Sequence, residues 1–232
     1  LKGTVANGQL SAATDGGAQA GLVKATVAGL TGAARVRIVP PLPWSENFDA
    51  MALNSVPATW VSTVAKFVVS EMPSGGKALV KTSEGSSLVT RTRAYLGPSD
   101  LANYTIELDV RGSERRRQRG DAGVIAQRYA LVLYGNSQAL HLEPWQPEVA
   151  RTVALPFTWK PDTWYRMKLS VENTPDGKAR ARGKVWLVGE PEPAAWMIER
   201  VDPLPNRQGA PGIFGNGLAE LSFDNLKVTP NK

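Results

Sequence analysis

The chain has 232 residues, 42% of them hydrophobic and 21% charged, a composition that excludes a disordered polymer and allows a large buried core. Lysine and arginine outnumber acidic residues 27 to 21, for a formal charge of +6, so nucleic acid is a partner only if a basic motif of recognisable spacing accompanies the excess. With no cysteine there is no disulfide, thiol nucleophile or thiolate metal site, and no apolar run approaches the roughly 18 residues of a membrane-spanning helix.

The first residues, LKGTVANGQLSAATDGG, lack a basic start, an apolar centre and a methionine. Any targeting signal is therefore expected upstream, with the chain as the later part of a longer polypeptide. Ala20 to Pro40 holds two alternating runs joined around Gly29 and Gly32, the pattern of a hairpin. Pro40, Pro41 and Pro43 follow; three residues without a ladder donor and with φ fixed near −65° make a stiff linker.

Beyond the linker, helical periodicity is almost absent and short alternating runs recur between Gly, Pro, Asn and Asp. Strands are predicted at Trp60 to Val69, Lys77 to Lys81, Ser87 to Tyr95, Tyr104 to Arg111, Ala122 to Tyr134, Ala139 to Leu142, Arg151 to Leu155, Trp164 to Glu172, Ala179 to Val188, Trp196 to Val201 and Leu218 to Val228. This exceeds a seven-stranded immunoglobulin sandwich and predicts an all-β, two-sheet antiparallel jelly roll. The basic run GSERRRQRGD reads as a solvated hairpin loop, and no nucleic-acid motif accompanies it. Gly212, Gly215 and Gly217 are expected as turns; no helix pattern or suitably placed lysine supports a phosphate loop.

The segment before the prolines resembles the last two strands of a bacterial immunoglobulin-like domain. From Trp44 onward the ordered motifs ENFD, LANYTIELDVRG, GDAGVIAQR, DTWYRMKLSVEN, GKVWLVG and GAPGIFGNGLAELSFDNLKV resemble the concanavalin-like, laminin-G-like jelly roll. Within it they resemble the branch of three-keto-disaccharide hydrolase-type domains. The division implied is an immunoglobulin-like end at 1–39, a linker at 40–43 and the jelly roll at 44–232. The resemblance implies an exported protein, periplasmic, cell-surface or secreted, with carbohydrate as partner alongside upstream domains of the same polypeptide.

In YTIELDVR, alternation puts Tyr104, Ile106, Leu108 and Val110 on the core side and Thr105, Glu107, Asp109 and Arg111 on the other. The pattern resembles the E-x-D-x-(x)-E strand of family-sixteen jelly-roll glycosidases, whose carboxylates, about 5 Å apart, serve as nucleophile and proton donor. Its third acid is missing: Arg111 or Gly112 stands there, and an Arg111 pairing with Glu107 or Asp109 is expected instead. Gln127 is expected to join this polar face from the next strand.

The single histidine, His141, shares strand parity with Glu143, and Trp145 follows between prolines in EPWQP. An exposed indole beside carboxylates makes a platform for the C–H face of a sugar. Trp60, Trp164, Trp186 and Trp196 are expected to serve in packing. One histidine makes no zinc set, and no contiguous calcium loop is present, although calcium on Asp, Asn and backbone oxygens stays open as a structural ion. The function expected is non-catalytic carbohydrate recognition by Glu107, Asp109, Arg111, Gln127, His141, Glu143 and Trp145. The alternatives are a glycoside hydrolase or lyase acting on a disaccharide, or a structural module.

Overall fold

The computed structural model describes residues 1–64, 66–81 and 92–231. Two antiparallel sheets pack face to face. The six-stranded sheet runs, in spatial order, Val153–Pro156, Ala139–Pro144, Tyr129–Tyr134, Asp121–Ala126, Gly212–Asn216 and Thr92–Tyr95. The eight-stranded sheet runs Ile198–Asp202, Ala179–Leu187, Trp164–Asn173, Tyr104–Gly112, Leu221–Pro230, Lys77–Lys81 and Phe67–Glu71, with Trp44–Glu46 pairing on Leu221–Pro230. The all-β jelly-roll architecture read from the alternating pattern is the one observed.

Alternation builds the core. Tyr104, Ile106, Leu108 and Val110 from one sheet meet Val124, Leu131, Leu133, Leu140 and Leu142 from the other, each at most 2% exposed. Their partners at intervening positions form two outer faces, one per sheet, on opposite sides of the molecule. The chain ahead of Trp44 forms two hairpins, Gly3–Ala6 with Gln9–Ala12, and Gln19–Val27 with Leu30–Ile38. The first was not anticipated, although its Asn7–Gly8 turn, with both φ positive, is a strong local hairpin signal. The second turns at Ala28–Gly29, and Gly32 lies inside its returning strand.

Several boundaries differ from expectation. In the Trp60 to Val69 run only Phe67 onward is a strand; the Thr63 carbonyl accepts the amides of Lys66 and Phe67 and closes a turn first. The part of the Ser87 to Tyr95 run before Thr92 lies outside the described residues. Ala122 to Tyr134 is two strands, not one, reversing at Gln127 and Arg128, whose φ values are 48° and 65°. Left-handed backbone at a residue other than Gly or Asn costs about 1–2 kcal/mol. Here Gln127 offsets that cost: its amide donates to the Tyr104 hydroxyl, its Oε1 accepts the Asn103 amide, and its Nε2 donates to Asn173 Oδ1 and the Asn206 carbonyl. Gly212 and Gly215, expected in turns, lie inside a strand; only Gly217 has a positive φ. The basic run does form a hairpin, Glu114–Arg115 with Gln118–Arg119, turning at Arg116 and Arg117.

Candidate functional site

The seven residues singled out from the sequence fall in three places. Glu107, Asp109 and Arg111 are on the outer face of the eight-stranded sheet. His141 and Glu143 are on the outer face of the six-stranded sheet, with Trp145 in the loop just after that strand. Gln127 is fully buried at the hairpin tip, occupied by the four hydrogen bonds that hold the turn.

On the eight-stranded sheet, each acid of YTIELDVR is tied to a cation on the adjacent strand. Arg166 lies in register with Asp109 and grips it through two hydrogen bonds, at 2.6 and 2.8 Å, and the Asn225 side-chain amide adds a third at 2.9 Å. Lys168, in register with Glu107, approaches it to 2.9 Å and also reaches Glu192, which bridges to Lys184. Arg111 does not pair with either acid, contrary to expectation, but with Asp162 at 2.5 Å. The reason is spacing: cross-strand neighbours stand about 5 Å apart, whereas same-face residues two apart on one strand are about 7 Å apart. Gly112 cannot be the missing third acid either, since a Cβ there would sit 2.6 Å from the Trp159 ring.

Next to this network lies an open pocket of about 520 Å³, lined by Glu46, Asn47, Glu107, Arg166, Asn225 and Lys227. Asp224 adjoins it; burial, and then the charges of Asp109, Asp49 and Glu46, push its carboxyl up to about 6. Among the described residues no group of three or more His, Asp or Glu is arranged to hold a metal ion.

The outer face of the six-stranded sheet is built differently. Ile125, Val132 and Phe214 form a second apolar cluster outside the main core, all at most 3% exposed, with Tyr95, Ala130 and Tyr134 packed on it. Beside it the Tyr134 hydroxyl donates to Glu143 Oε2 at 3.2 Å, and the His141 Nδ1 lies 3.9 Å from the same oxygen. The Tyr134 and His141 rings touch with centroids 4.4 Å apart, their planes tilted by 48°. Burial lowers the His141 pKa, partly opposed by the Asp121 carboxylate, so the imidazole stays neutral at physiological pH. Asp121 is fixed by the Gly135 amide and the Asn216 side chain.

Trp145 borders this cluster. The Arg93 guanidinium lies 4.7 Å from its ring centroid, that of Arg128 5.7 Å, and the Tyr95 ring 6.1 Å. Sequence reasoning missed Tyr134, Tyr95, Arg93 and Arg128. Tyr134 was within reach of it, because pairing the end of the Ala122 to Tyr134 run with Ala139 to Leu142 puts Tyr134 on the same face as His141. The other expected packing indoles divide: Trp60 is in the main core, Trp164 packs on Met72, Ala78 and Val80, and Trp196 lies over Arg182 and Lys184.

Two antiparallel sheets packed face to face make the chain a jelly-roll sandwich. Solved structures of other proteins share this fold. The carbohydrate recognition domain of Emp47p matches with a TM-score of 0.52 and 12% identity over 81% of this chain and 95% of that one. The alginate lyase Aly36B matches with a TM-score of 0.52 and 12% identity over 82% and 97%. Lectin II from Ulex europaeus matches with a TM-score of 0.51 and 10% identity over 82% and 99%. At such identities the likeness shows the fold alone. No family model matches the chain, and neither does any curated protein.

Proposed function

We propose that this chain is a carbohydrate-recognition module of a larger exported protein and that it binds its ligand on the outer face of the six-stranded sheet. The observation that carries this reading is the Trp145 platform beside the Tyr134–His141–Glu143 group. An indole offers apolar area to the C–H face of a pyranose, while the half-buried Tyr134 phenol and His141 imidazole, backed by the buried Glu143 carboxyl, offer polar contacts to its hydroxyls. A carbohydrate recognition domain and a plant lectin among the structures of the same fold support it. The Glu107, Asp109 and Arg111 face is assigned instead to holding the sheet together. Consistent with a module borne by a longer chain, the 1–39 segment is read as the end of an immunoglobulin-like domain joined through the 40–43 prolines.

The enzymatic alternative loses ground at Glu107, whose cross-strand neighbours are Lys168 and Lys227 rather than a second acid or a histidine. It keeps one foothold, the Tyr134 phenol hydrogen-bonded to the Glu143 carboxyl at 3.2 Å, with the His141 imidazole 3.9 Å from the same oxygen. Titration calorimetry of the whole chain against a panel of oligosaccharides tests the proposal. Millimolar or tighter binding that is lost in Trp145→Ala supports recognition; turnover of any panel member that disappears in Tyr134→Phe replaces it with catalysis; no binding across the panel refutes it.

A further inference from the structure

Resting on that reading, we infer that the saccharide bound on the six-stranded sheet is acidic and that Arg128 is the residue that receives its carboxylate. Arg128 is exposed, and among the described residues no carboxylate pairs with its guanidinium. Its position is nonetheless built. It occupies the tip of the hairpin formed by Asp121–Ala126 and Tyr129–Tyr134, with φ at 65°, and its carbonyl accepts a hydrogen bond from Asn206. Its stem lies against Gly209, where a Cβ would come within 2.7 Å of the Arg128 Cγ, so only glycine lets the side chain lie there. The head then rests 5.7 Å from the centre of the Trp145 ring.

An arginine held over an indole keeps its planar fork aimed in one direction and loses less freedom when it grips a planar anion in a two-point contact. Arg93 lies over the same indole, 4.7 Å from its centre, so the Trp145 ring is held between neighbouring side chains. Glu143 is 4% exposed with its carboxyl engaged by Tyr134, and Asp121 is bound by Gly135 and Asn216 at the other end of the strand from Arg128. A neutral sugar would use Trp145 and leave Arg128 idle; a uronic acid residue uses both at once.

The test compares tetramers of galacturonate and of mannuronate with their methyl esters, which keep size and hydroxyls but lose the charge. Calorimetry is carried out on the whole chain at low and at physiological salt. At least one acid tetramer is expected to bind about tenfold tighter than its ester, the advantage of one charge-assisted contact, and the gap is expected to narrow as salt rises. Arg128→Gln removes the gap by weakening the acid alone, Arg128→Lys restores part of it, and matching thermal melts show that the variants fold. Esters binding as tightly as acids, or an Arg128→Gln variant that keeps the preference, overturns this inference while leaving saccharide recognition standing. Absence of binding by acids and esters alike overturns both.

Discussion

The two outer faces of the sandwich start from the same local pattern and end as different surfaces. Glu107-x-Asp109 and His141-x-Glu143 both put two polar groups on one side of a strand. On the eight-stranded sheet the strand across from the pair supplies Arg166 and Lys168, and the result is a mesh of ion pairs that extends through Glu192 to Lys184. On the six-stranded sheet the strand across from His141 and Glu143 supplies Val132 and Ala130, and rings gather around the acid instead. The register partner, not the spacing along the strand, decides whether a carboxyl joins a mesh of ion pairs or sits among aromatic rings.

The largest effect that separates the faces is expected from Asp109→Ala. It takes two charge-assisted hydrogen bonds from the Arg166 guanidinium, one-third exposed, and leaves it Glu107 at 4.0 Å, a loss of about 2 kcal/mol. Urea unfolding should show that loss while saccharide affinity stays at the parent value; a folded Asp109→Ala chain that no longer binds would reverse the roles assigned to the faces. Next comes Trp145→Ala, which is expected to weaken saccharide binding by about tenfold or more and to change stability by only about 1 kcal/mol, since the indole is half-buried outside the core.

Asp224 sharpens the same contrast through pH. Its folded pKa of about 6 lies above the ordinary 3.8, so the proton it holds contributes stability that is complete below about pH 4 and lost as pH rises through 6. Asp224→Asn keeps the oxygen that accepts the Asn225 amide and carries no charge to lose. Its melting temperature should exceed the parent's near neutral pH and converge on it at about pH 4. An equal difference at both pH values would remove Asp224 from the electrostatics of that sheet.

How far the sequence spoke follows from where each signal resides. The sandwich was legible because alternation in runs such as YTIELDVR is a property of neighbours in the chain, and burial of Tyr104, Ile106, Leu108 and Val110 obeys it. The Gln127–Arg128 reversal was not, because nothing local marks it: what stabilises it are Tyr104, Asn103, Asn173 and Asn206, contributed by other strands and loops. That hidden turn also hid the place of Arg128 beside Trp145. The pairing of Arg111 was misjudged for the same kind of reason. Its partner Asp162 is 51 positions away and adjacent only once Trp164–Asn173 lies alongside Tyr104–Gly112.

The smallest effect belongs to Glu107, the residue that most resembled a catalytic acid. Its carboxylate bridges to Lys168 in a half-exposed setting, and Lys168 keeps Glu192 when Glu107 is removed. Exposed pairs of this kind contribute about 0–1 kcal/mol. Glu107→Gln should therefore lower stability by about 0.5 kcal/mol, with the loss shrinking at high salt because surface pairs are screened. Saccharide affinity measured by calorimetry should not move. A shift in affinity would mean that ligand reaches the pocket lined by Glu46, Asn47 and Glu107, and that the eight-stranded face, despite its ion pairs, also recognises sugar.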